Sequence, residues 1–172
     1  MYPGNYATTH PDRAAFIMAN SGLEVSYAEF EARSNRLAHL LRSEGLAHAD
    51  HYSVFMENNE RYLESCAAGE RAGLYYTCIN SYLTADEVAY IIQNSESQIL
   101  ITSCAKQEIA LAAAAQCPQL RRILIVDGDP TTLSDDCRDF AAACAEHPDG
   151  PIADEQLGTS MLYSSGTTGR PK

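Results

Sequence analysis

The sequence predicts an α/β fold, a mostly parallel sheet flanked by helices, and three observations carry that prediction. Between residues 52 and 126, four short apolar runs alternate with three stretches of helical period. Ser/Thr-x-x-Glu capping boxes open two of the chain's helical stretches, at Ser26–Glu29 and Thr84–Glu87. The connections between elements are short. Strands joined through helices pair in parallel, and a parallel sheet is covered on both faces.

The elements follow in order. Residues 14–19 (AAFIMA) read as a short strand and 24–26 as a second, separated by the turn residues Asn20, Ser21 and Gly22. Ser26 with Glu29 starts a helix whose Phe30, Leu37, Leu40 and Leu41 share one face, and Gly45 stops it. Residues 52–56 form a strand, Asn59 caps a helix running through Leu74, and 75–79 form the next strand. Thr84 with Glu87 opens a helix that ends near Asn94. A strand over 98–102, an alanine-rich helix from Ser103 to just before Pro118, and a strand over 122–126 follow. Residues 134–146 read as a helix, and 161–164 as a last strand. The stretches 127–136 and 147–157 are polar connections and not domain linkers.

Composition narrows the function classes. The chain has 172 residues, 45% of them hydrophobic and 20% charged, which suits one soluble globular domain. Twelve Lys and Arg against 23 Asp and Glu give a net charge of −11. That excess repels a phosphate backbone and excludes a nucleic-acid surface as partner. An anionic ligand must then be held by a local device such as a nest of backbone N–H groups. The apolar run 109–115 is too short to cross a bilayer, no charged region leads into an apolar stretch at the amino terminus, and the expectation is a cytoplasmic protein without a transmembrane segment. None of the six cysteines sits in a C-x-x-C pair, so neither zinc nor a disulfide framework is expected; most read as small buried hydrophobes of a reduced compartment.

The chemistry lies in residues 163–172, YSSGTTGRPK. The hydroxyl residues Ser164, Ser165, Thr167 and Thr168 are interleaved with Gly166 and Gly169. Glycine admits positive φ and a close backbone approach, so N–H groups and hydroxyls can converge on phosphate oxygens. Lys172 adds charge, Pro171 stiffens the exit, and Arg170 is read as solvent-facing. A flexible Ser/Gly/Thr linker is the plainer alternative, but a linker seldom follows an apolar strand directly. The P-loop of kinases and GTPases requires G-x-x-x-x-G-K-[ST]. Here the glycines are three apart and the lysine follows the second by three, so that reading fails on spacing.

Every position of 164–172 fits [ST]-[ST]-G-[ST]-T-G-x-P-K, and on this motif the chain resembles the adenylate-forming superfamily of acyl-CoA ligases, luciferases and adenylation domains. The stretches HPDRAAFI (10–17), SYAEFEARSNRLAHLLRSEGL (26–46) and AAGERAGLYYTCINSYLTADEVAYIIQNSES (67–97) resemble the same family in order and spacing, closest to bacterial fatty-acyl-CoA ligases. Two positions depart from it. Ala49 stands where many relatives have glycine, and Cys78 where they have proline.

The resemblance implies that a small-molecule carboxylic acid attacks the α-phosphate of ATP, giving an acyl-adenylate that coenzyme A then cleaves. It implies that Ser164, Ser165, Gly166, Thr167, Thr168, Gly169 and Lys172 hold the β- and γ-phosphates, and that Ser164 helps place Mg²⁺. It further implies that 1–172 is an incomplete amino-terminal subdomain ending at the phosphate loop 163–172, with no catalytic residue of its own and inactive alone. The competing reading is a non-catalytic truncated binding or assembly module of the same fold; the oligomeric state is open. Residues 57–60 (ENNE) follow a strand at the ligand-binding end of such sheets, but read more simply as a helix cap. Tyr75 and Tyr76 read as packing residues and His10 as a turn residue; no Ser/His/Asp triad can be assigned.

Overall fold

The computed structural model describes residues 3–129, 134 and 136–163. Its centre is a six-stranded, wholly parallel sheet in the order β7-β6-β5-β3-β4-β8. The strands are β3 (His51–Phe55), β4 (Tyr75–Cys78), β5 (Ile99–Ser103), β6 (Arg122–Val126), β7 (Cys137–Asp139) and β8 (Thr159–Ser160). Helices α2 (Tyr27–Ser43), α3 (Tyr62–Arg71) and α6 (Phe140–Ala145) cover one face; α4 (Ala85–Asn94) and α5 (Gln107–Ala114) cover the other. Successive strand residues serve opposite faces. Ile99 and Ile101 of β5 join the cluster under α2 and α3, and Leu100 joins the one under α4 and α5. Leu124 and Ile125 of β6 divide in the same way.

Local signals explain most boundaries. Both capping boxes form: Glu29 and Glu87 each accept from their N-cap backbone N–H, at 3.0 and 2.9 Å. Gly45 stops α2 at φ +91°, where a side chain would be strained. Ala49 adopts φ +68°, which explains why glycine suits that position. Ahead of the main sheet, α1 (Gly4–Thr9) was not anticipated; Tyr6 stacks on Tyr27 at 5.2 Å. The expected strands at 14–19 and 24–26 form an antiparallel pair, β1 (Ala14–Ile17) and β2 (Glu24–Ser26).

Four expectations need correction. Asn59 does not cap α3, which starts at Tyr62 behind Arg61; its Oδ1 accepts from the Arg61 N–H at 2.9 Å in an Asx turn. Ser103 ends β5 and precedes a short 3₁₀ turn, Cys104–Lys106, before α5. The helix expected over 134–146 begins only at Phe140, because Asp139 is the true N-cap, accepting from the Ala142 N–H at 2.7 Å. Residues Cys137–Asp139 instead pair with β6 as an edge strand. Among the described residues the last strand is Thr159–Ser160, and 161–163, where the last strand was expected to begin, are not in one. No helix among the described residues is long and apolar enough to cross a membrane.

Candidate functional site

The motif residues Ser164, Ser165, Gly166, Thr167, Thr168, Gly169, Arg170 and Lys172 lie outside the described residues. The structure does describe the segment that delivers them. Among the described residues β8 pairs with the first two residues of β4, Tyr75 with Thr159 and Tyr76 with Ser160. The Met161 N–H donates to the Tyr76 carbonyl at 2.9 Å, after which the chain leaves the sheet. Tyr163 then packs on the α4 side, its hydroxyl donating to Asn94 Oδ1 at 2.7 Å.

So short a strand needs other anchors. Gly158 donates to the Glu70 carbonyl at 2.8 Å, and a Cβ there would lie 2.3 Å from the Gly69 carbonyl oxygen and 2.4 Å from that of Leu74. Only glycine permits that approach. Upstream, Arg71 is wholly buried between Glu31 of α2, at 2.5 Å, and Glu155, at 3.4 Å. Arg42 reaches Asp154 at 3.1 Å and the Ala72 carbonyl at 2.6 Å, while Ile152 enters the core under α2 and α3. The segment read as a polar connection is therefore held by three arginines, since Arg36 also meets Asp149 at 3.0 Å, and by one apolar anchor. Sequence reasoning missed Arg42, Arg71, Asp154, Glu155 and Gly158. Arg71 is set among AAGERAGL like any solvent-facing helix charge, and nothing local marks its partners.

The second feature is the carboxyl end of β3 and β5. The two strands are neighbours, yet β3 leads into α3 on one face and β5 into α5 on the other. Such a switch point opens a crevice where α/β sheets bind ligands. Here it contains Glu57, which accepts from the Ser103 hydroxyl at 2.5 Å and from the Asn59 amide at 3.3 Å. Burial alone would raise the Glu57 carboxyl, but the Ser103 and backbone hydrogen bonds, Asn59 and the Lys106 charge hold it below the usual carboxylate range. Lys106 also lies 5.6 Å from the centre of the exposed Tyr82 ring. The ENNE segment does not supply the helix cap that the sequence suggested: Asn59 orders the turn ahead of α3, and Glu57 presents an ionised carboxylate at the switch point.

The remaining sequence candidates are structural. Tyr75 stacks on His51 at 4.9 Å, Tyr76 donates to Glu70 at 3.0 Å, and exposed His10 ends α1.

A family model described as AMP-binding enzyme matches residues 5–172. The chain belongs to that family. Proteins similar to it include long-chain fatty acid transport protein 1 of Mus musculus, 30% identical over 96% of this chain and 27% of the relative. A 3-oxocholest-4-en-26-oate–CoA ligase of Rhodococcus rhodochrous is 29% identical over 94% of this chain and 30% of that protein. The chain thus spans under a third of the length of these relatives. The anthranilate CoA ligase AuaEII, solved in complex with anthranoyl-AMP, superposes with a TM-score of 0.85 at 16% identity, over 99% of this chain and 31% of its own. At that identity the match establishes the fold. The adenylate-forming, acyl-CoA-ligase type of AMP-binding enzyme is the one that the sequence motifs resemble.

Proposed function

We propose that this chain is the amino-terminal, phosphate-binding part of an ATP-dependent acyl-CoA ligase, which converts a fatty acid, ATP and coenzyme A to acyl-CoA, AMP and pyrophosphate through an acyl-adenylate. The observation that carries the proposal is the complete nine-residue motif at 164–172 in a chain whose family match spans 5–172. In this reading 1–172 forms one incomplete subdomain that ends at the loop 163–172. The pockets for adenine and acyl group lie elsewhere in the protein, and the chain alone does not adenylate. A cytoplasmic location belongs to the same reading.

The mechanism follows from where charge develops. As the carboxylate attacks the α-phosphate, negative charge grows on the departing pyrophosphate, and preorganised donors lower that barrier. Backbone N–H groups of Gly166 and Gly169 with hydroxyls of Ser165, Thr167 and Thr168 are suited to its oxygens, and Lys172 supplies a point charge. Ser164 offers a hydroxyl oxygen, the hard donor type that Mg²⁺ accepts; the ion would neutralise phosphate charge there. The β8 clamp supports this reading because it fixes the point from which the loop departs.

The test is acid-dependent ATP–pyrophosphate exchange by the full-length protein that carries this chain, with short, medium, long and aromatic acids. Exchange driven by long-chain fatty acids is expected. Exchange only with aromatic acids would correct the substrate class, and none with any acid would leave a non-catalytic binding module as the better account.

A further inference from the structure

Cys66 of α3 and Cys78, the last residue of β4, place their Sγ atoms 3.7 Å apart. All six cysteines are thiols, and these two are half-buried. Among the described residues no other two cysteine sulfurs are in contact: Cys117, Cys137 and Cys144 are buried, and Cys104 is exposed but lacks a thiol neighbour. Cys78 also stands where many members of the resembling family carry proline. We propose that Cys66 and Cys78 form a peroxide-reactive dithiol, a modification site at which a hydroperoxide closes an intramolecular disulfide.

The surroundings divide the roles. The contact between the two sulfurs, with the Tyr62 hydroxyl, pulls Cys78 below the ordinary thiol range against its burial, whereas the same contact and burial raise Cys66. Cys78 therefore carries the thiolate and Cys66 resolves. In the first step the Cys78 thiolate attacks the terminal oxygen of the hydroperoxide. An S–O bond forms, the O–O bond breaks, and the alcohol (or water, from hydrogen peroxide) departs with a proton from solvent. In the second, Cys66 sulfur attacks the Cys78 sulfenic acid. The S–S bond forms, the S–O bond breaks, and hydroxide leaves as water with the Cys66 proton. Two thiols are oxidised by two electrons and the peroxide takes both. Closure requires the sulfurs to approach from 3.7 Å to about 2.05 Å. The link ties α3 to the strand on which β8 is built, beside Tyr76, which pairs with Ser160.

The full-length protein is treated with hydrogen peroxide, its remaining thiols alkylated, and its tryptic peptides sequenced by tandem mass spectrometry. A crosslink between Cys66 of peptide 62–71 and Cys78 of peptide 72–106, lighter by two hydrogens and reversed by dithiothreitol, is expected. It persists in Cys104→Ser, and Cys78→Ser slows peroxide-driven loss of the Cys66 thiol by about tenfold or more, in line with a thiolate nucleophile. Oxidation of Cys104 with Cys66 and Cys78 still alkylated would overturn the proposal, because peroxide then reached the protein and found no dithiol. Oxidation of Cys78 to sulfinic acid without a crosslink would overturn it equally.

Discussion

The middle of the sheet and its β8 edge are built on different principles. Strands β3, β5 and β6 are buried along almost their whole length, and their alternate residues fill two apolar clusters. β8 has two residues, one neighbour among the described residues, and exposed Leu157 and Leu162 close by, at 78% and 77% accessibility. What holds it is a glycine contact with backbone and a buried arginine between two carboxylates. Apolar burial is non-directional and recoverable from many substitutions. A buried charge with fixed partners is not, since losing one partner strands the others. The segment that feeds the proposed phosphate loop therefore leans on two contacts, at Arg71 and Gly158, that tolerate little change.

The comparison breaks most sharply at Arg71. Arg71→Ala leaves Glu31 and Glu155 facing an empty buried site, and a loss of about 3–5 kcal/mol is expected in denaturant unfolding. Amide exchange should rise at Gln156, Gly158 and Thr159, which donate to Arg71, Glu70 and Leu74. Equal loosening of Leu100 and Leu124 would mean that edge and centre are one unit. Gly158→Ala comes next. Its methyl would meet three backbone atoms, with no side chain to move aside, so about 3 kcal/mol is expected by analogy with overpacked sites. Exchange at Thr159 and Met161 should rise first, and an unchanged midpoint would show that the approach is looser than described.

Glu64 sharpens the comparison, as a buried charge that is only partly compensated. Burial raises its carboxyl from 4.5 to about 7 against the pull of Arg61 and Arg33. The folded chain then binds more protons than the unfolded chain between those values, so this group's contribution to stability falls as pH rises through that window. Glu64→Gln should gain on the wild type over the same range, by on the order of 2 kcal/mol at about pH 8, and lose that advantage in more acidic buffer. Parallel unfolding midpoints across pH would refute the raised carboxyl.

The same division decides what could be read from the sequence. Ser26 with Glu29, Thr84 with Glu87 and Gly45 act within a turn of their own position, so their helix ends were legible. β7 and β8 were not, because three and two residues carry no period and their pairing depends on β6 and β4 far away in sequence. Asn59 kept a turn-forming role but not as the helix cap. Of the site, the hydroxyl and glycine pattern of 164–172 was plain in the sequence, whereas the Arg71 clamp and the Glu57–Ser103 contact exist only once α2, α3 and the strand ends have been brought together.

The most direct test pairs Thr168→Ala with Lys172→Ala in the full-length protein and measures fatty-acid-dependent ATP–pyrophosphate exchange beside the unfolding midpoint. Removing one preorganised donor from such a site lowers the rate by about 10²–10³. The account predicts at least that loss of exchange with the midpoint unchanged. Wild-type exchange from the double variant would contradict it, and would move phosphate binding away from residues 164–172.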